Sequence, residues 1–249
     1  MILITPFFLN HFFMIQRINN KLEQTLDKYD IRENRYFITL SKSCSSITQN
    51  DFVRSQEPFL FIVNRWTNLY GLLLSKTYDF TTKFLLYQNI AADFGHSSLE
   101  SSHTIKFYRY LRSIGSQKNM SILLSSSDLT RYSEMFIMQI ENKINQNSSL
   151  YGTAFVGAME AYYFKKICPF FISFFEKVKW NNDVQNIHYL SNKYGVDLLE
   201  IVCKDERIDT DKDNALEEIE NAIDDGIQTM DWLYKRMYDD LWSEKKCMS

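Results

Sequence analysis

Residues 214–242 read NALEEIENAIDDGIQTMDWLYKRMYDDLW. Leu216, Ile219, Ile223, Ile227, Met230, Leu233, Met237 and Leu241 recur there at spacings of three and four, which places them on one stripe of a helix with acidic residues opposite. Upstream, Ser149–Lys179 reads as a long apolar helix with Pro169 as its kink, and its small residues Gly152, Ala154, Gly157 and Ala158 admit a close neighbour. Leu129–Ile144 makes another helix, and Asp183–Ile201 a further one despite Gly195. Nearer the start, Ile18, Leu22 and Leu26 mark a helix over Gln16–Tyr29. Asn50 or Asp51 caps one that runs through Phe59, Val63, Trp66 and Leu69 into Leu72–Leu74. From Asp79 the pattern Phe80, Phe84, Leu85, Asn89, Ile90 is again helical. Gly95 and the serines after it interrupt that pattern, Ser102 restarts it toward Phe107, Tyr110 and Leu111, and Gly115 ends it.

No alternating run of strand type appears, and the joints are Ser- or Asn-rich: Ser41–Ser46, Ser97–Ser102, Ser125–Ser127 and Asn145–Ser149. Composition agrees. Seven glycines and three prolines in 249 residues are too few for the turns of a sandwich or barrel, and 45% hydrophobic residues can fill a sizeable core. The expected architecture is one all-α domain of about seven to eight helices. A net charge of −3 offers no field to recruit nucleic acid. Cys44, Cys168, Cys203 and Cys247 form no C-x-x-C pair, which argues against a zinc knuckle or disulfide framework and for a reducing cytoplasm. Residues 1–15 are apolar but broken by Pro6, Asn10 and His11. They are read as a packing segment and not a membrane span, or as an extension upstream of Met14 as the working initiator.

Four histidines are available for chemistry. His11 and His188 fit packing, surface or capping roles, whereas His96 and His103 flank the break in Asn89-Ile-Ala-Ala-Asp93-Phe-Gly95-His96-Ser-Ser-Leu-Glu100-Ser-Ser-His103. A carboxylate ending one helix and a histidine starting the next can converge, either as a metal-ligand pair or as two caps in a polar loop. Lys193, Asp197 and Glu200 share one face of the helix expected over 183–201. That face is either a surface ion pair or an interior polar site. Glu160 lies in an apolar helix and needs a partner, with Lys165 or Lys166 one choice.

The order Asn89…Asp93-x-Gly95…His103, then Gly157-Ala-x-Glu160, then Tyr189-Leu190-x-x-Lys193-x-x-x-Asp197-x-x-Glu200 resembles the haem-oxygenase-like metal oxidases. Within them it looks similar to the group of the chlamydial protein that associates with death domains. Pyrroloquinoline-quinone synthase and the TenA thiaminases share that fold. Asn34-Arg-Tyr-Phe-x-x-Leu, Asp51-Phe52, Gln56 and Phe59 extend the resemblance upstream, to about residues 20–205 in all. It implies a single helical domain over residues 16–246, closed by the last helix.

The resemblance further implies two irons that activate O₂ inside the bundle to oxidise a small amine or acid. Asp93, His103, Glu160 and Asp197 match ligand positions in type. Lys193 and Glu200 replace both histidines of the H-x-x-x-D-x-x-H signature, and between Glu57 and Asp79 there is no acidic residue for the first helix's glutamate. A protonated lysine has no lone pair for a metal, but its charge can replace a cation among Asp93, Glu160, Asp197 and Glu200. His96, seven residues before His103, can join it on one face of a continued helix. Three alternatives stay open: no metal, one iron or manganese, or a remodelled pair.

Two functions follow. The first is an O₂-using oxidase or cofactor-biosynthesis-type enzyme acting on a small aromatic or amine substrate. Asp93, His96, His103, Glu160, Asp197 and Glu200 are its candidate metal ligands, Lys193 and Glu160 its catalytic residues, and Tyr110, Tyr162 and Tyr189 its nearby donors. The second is a metal-free, catalytically inactive binding protein held by a Lys193–carboxylate network. A homodimer or a protein partner on the acidic face around Glu217–Asp225 is compatible with either.

Overall fold

A helix ends where its backbone donors meet a side chain that can cap them or a proline that cannot continue the ladder, and both devices divide this chain. The computed structural model describes residues 6–42, 47–96, 98–178, 197–203 and 211–242, and no strand occurs among them. The α-helices are α1 (Pro6–Lys28), α2 (Arg35–Lys42), α3 (Gln49–Gln56), α4 (Phe59–Lys76), α5 (Phe80–Asp93) and α6 (His103–Ser113). They continue with α7 (Met120–Ser125), α8 (Ser127–Gln146), α9 (Ser149–Tyr162), α10 (Cys168–Val178), α11 (Leu198–Val202) and α12 (Lys212–Trp242). The all-α architecture expected from the sequence is therefore the observed one.

Several starts carry side-chain caps. Asp79 accepts from the Thr82 amide, Ser102 from Ile105, Asn119 from Ile122 and Ser148 from Tyr151. Three expected boundaries need correction. Thr48, and neither Asn50 nor Asp51, caps α3 by accepting from the Asp51 amide. The helix expected from there into Leu74 is two helices, because Pro58 has no N–H to donate to Arg54 and its ring crowds that carbonyl. Upstream of Pro169 the long apolar segment widens into a π-turn over Tyr163–Ile167, where the Cys168 amide donates to Tyr163 O before α10 resumes.

The core is built on α9 and α12. Every residue of α9 from Leu150 to Met159 is buried. Leu216, Ile219, Ile223, Ile227, Met230, Leu233 and Met237 of α12 are buried as their spacing predicts. The two helices approach closely because Gly226 has no side chain: a methyl carbon there would lie 2.4 Å from Phe155 O. Part of the acidic side of α12 is engaged by neighbouring helices, while Glu217 is exposed. Glu220 and Asp224 pair with Arg17 and Lys21 of α1, Asp225 pairs with Lys143 of α8, and Asp231 accepts from Asn34 Nδ2 at 2.7 Å. Helix α12 is thus flanked on several sides. Among the described residues no helix is long and apolar enough to cross a membrane.

Candidate functional site

Helix α4 turns Phe59, Ile62, Val63, Trp66 and Tyr70 toward a cavity of about 150 Å³, and its walls are completed by α3, α5, α6, α8, α9, α10, α12 and the π-turn. Phe107, Phe136, Phe164, Phe171, Met159, Met230 and Leu233 make most of the surface apolar. The ionisable groups on it are Asp93, His103 and Glu160, joined by the phenols of Tyr70, Tyr163 and Tyr234.

Asp93 is the last residue of α5 and is only 6% exposed, while His103 is the first of α6. A tight reversal brings them together. Gly95 and His96 both adopt positive φ, at +77° and +57°, so the chain doubles back within a few residues. Gly95 is obligatory there, since a Cβ would lie 2.4 Å from Ser98 O and 2.6 Å from Ser102 N. His103 Nδ1 ends 2.7 Å from Asp93 Oδ1, and Thr67 Oγ1 donates to Asp93 Oδ2 at 3.4 Å. A carboxylate on Nδ1 fixes the ring's orientation.

Glu160 comes from α9 and is half-buried. Its Oε1 accepts from Trp66 Nε1 at 3.1 Å and from the Tyr70 hydroxyl, two donors one helical turn apart on α4. Burial pushes the Tyr70 phenol well above its usual range, and the charges of Glu160 and Asp93 push it further, so it stays a donor. At another wall Tyr234 is fully buried, its phenol raised chiefly by desolvation, and its hydroxyl has no hydrogen-bond partner among the described residues. Gln56 Nε2, also on the lining, donates to Tyr36 OH at 2.8 Å.

Of the six candidate metal ligands, the structure brings Asp93, His103 and Glu160 to one cavity. His96 does not join them. The helix breaks before it, and in its left-handed turn it is exposed. Glu200 is exposed as well, and Asp197, on extended backbone, caps α11 by accepting from the Leu199 amide at 2.9 Å. That extended conformation also ends the expected continuous helical face through 193, 197 and 200. Lys193, His188 and Tyr189 lie outside the described residues. Lys165 and Lys166 pair with Glu23 and Asp27 of α1 and leave Glu160 to α4. Among the expected donor tyrosines, Tyr162 donates to Tyr29 O at 2.9 Å and Tyr110 lies in the core away from the cavity lining.

Among the described residues no three His, Cys, Asp or Glu side chains come close enough to hold a metal ion. Trp66 and Tyr70 of α4 hold Glu160 by hydrogen bonds. The described donors therefore do not fit an iron pair. Sequence reasoning passed over Trp66, Tyr70 and Tyr234. The available signal was two polar-tipped aromatics at i and i+4 on an apolar helix, which bury comfortably only with a partner.

No protein-family model and no curated protein matches the sequence. In structure the chain is similar to a CADD-like protein of unknown function from Nostoc punctiforme PCC 73102. The TM-score is 0.61 at 14% identity, over 93% of this chain and 97% of the other. A likeness at that identity speaks to the fold alone, a helical bundle.

Proposed function

We propose that this chain is a small-molecule enzyme of the cofactor-biosynthesis type, which binds a small aromatic amine in the α4–α9 cavity and acts on it by acid–base chemistry. The observation that carries the reading is the convergence of Asp93, His103 and Glu160, delivered by three helices, on one cavity otherwise walled by aromatic and aliphatic side chains. A volume of about 150 Å³ suits a single benzene-sized ring. The Glu160 carboxylate attracts the amine, while Trp66 and Tyr70 hold that carboxylate in place. The Asp93-oriented imidazole of His103 takes or returns the proton, and Tyr234 OH meets a polar substituent on the ring. Positioned acid–base groups of this kind contribute about 10²–10⁴-fold to a rate.

Protein purified without chelator tests the reading in two measurements. Benzylamine, tyramine and similar ring amines should raise the melting temperature of the wild type and leave Glu160→Gln unmoved. Metal analysis should find no stoichiometric iron that disappears in His103→Ala. Iron that does disappear replaces this reading with the O₂-using oxidase. Failure of every ring amine to bind leaves the inactive binding protein.

A further inference from the structure

We infer that α5 is the docking face for a second copy of this chain, packed antiparallel against its own counterpart. Helix α5 buries Thr82, Leu86, Asn89 and Asp93 against the bundle. On the opposite side Phe80 is 81% exposed, Phe84 50%, Tyr87 59% and Phe94, just past the last turn, 59%. With Ala91 these positions run 80, 84, 87, 91, 94, an alternation of four and three that forms the seam of a helix pair. Tyr78, 95% exposed, extends the seam at its start. A buried aromatic side chain removes about 150–250 Å² from water, so the exposed fractions of these five rings leave roughly 700 Å² per chain, near the ~800 Å² per partner of a stable interface.

Antiparallel pairing suits this sequence. Centred between Leu85 and Leu86, it sets Phe80 opposite the small Ala91 of the other copy and Phe84 opposite Tyr87, and leaves Phe94 beside the other copy's Thr77 and Tyr78. It also places Lys83 opposite Gln88, whereas parallel pairing would oppose lysine to lysine, and it aligns the two helix dipoles favourably. A lipid surface is the less suitable occupant, because an interfacial helix needs a band of basic residues and α5 has only Lys83. Phe94 follows Asp93 directly, so the second copy braces the turn that brings Asp93 to His103.

Sedimentation velocity on the full chain tests the inference independently of the cavity's chemistry. The wild type should sediment as a dimer at tens of micromolar. Phe84→Glu and Tyr87→Glu should each sediment as a monomer with unchanged far-ultraviolet circular dichroism. Met138→Glu, on an exposed position of α8, should remain a dimer. A monomeric wild type, a dimer that survives both α5 substitutions, or a wild-type monomer that instead co-sediments with phosphatidylserine vesicles would each overturn it.

Discussion

Glu160 follows ten consecutive buried residues of α9, and the two hydrogen bonds from Trp66 and Tyr70 help to make a carboxylate tolerable there. Tyr70→Phe removes one of them without changing the ring's shape. It should cost about 1–3 kcal/mol in urea denaturation, the loss for a charged acceptor deprived of a donor. The sign of the pH effect follows from the raised phenol. Its contribution is fully present below the ordinary tyrosine range, about pH 10, and is lost as pH rises toward the raised value, so the gap between wild type and Tyr70→Phe should narrow in alkali. The sequence marks Glu160 as needing a partner. It does not say which, because Trp66 stands 94 positions away and the nearer lysines prefer α1.

The turn between α5 and α6 does for the element what those hydrogen bonds do for the residue. Gly95→Ala sets a Cβ against Ser98 O and in a left-handed backbone. It should cost at least about 1–2 kcal/mol in thermal or urea unfolding, because the turn that joins Asp93 to His103 must shift. Gly71→Ala is the contrasting case. In the interior of α4 an added methyl meets nothing within 4 Å, and the same assay should show a gain of about 0.5–1 kcal/mol. At the other end of α5, the Asp79 carboxyl is held below its usual range, first by the Thr82 amide. Asp79→Ala should lose about 1 kcal/mol near neutrality. Because the folded value is depressed, that contribution is present above the ordinary carboxylate range and vanishes as pH falls through the lowered value, so wild type and variant should converge in acid. Gly95, Ser102 and the start at Asp79 were readable as a break and its restart. The left-handed turn at His96 was not, because it depends on Ala91 O accepting from the His96 amide at 2.7 Å.

At the scale of the molecule, α12 decides the assembly of the bundle. Its apolar stripe was legible, but the pairing of Glu220, Asp224 and Asp225 with α1 and α8 was not. Gly226→Ala tests how tightly it seats. A Cβ 2.4 Å from Phe155 O must push α9 and α12 apart, which should cost about 1–3 kcal/mol and lower the melting temperature while leaving helix content unchanged.

Helical periodicity, scarce glycine and proline, and the Ser and Asn caps are local properties, so the all-α class and most helix positions were determined by the amino-acid sequence alone. The same locality named Asp93, His103 and Glu160 as residues worth following. Tertiary structure alone decided that these three meet in a cavity, that His96 and Glu200 face outward, that Asp197 caps a helix, and that Trp66 and Tyr70 hold Glu160. The physical reason is that a hydrogen bond or a shared cavity depends on distance in space, and helices far apart in the chain acquire that distance only by packing.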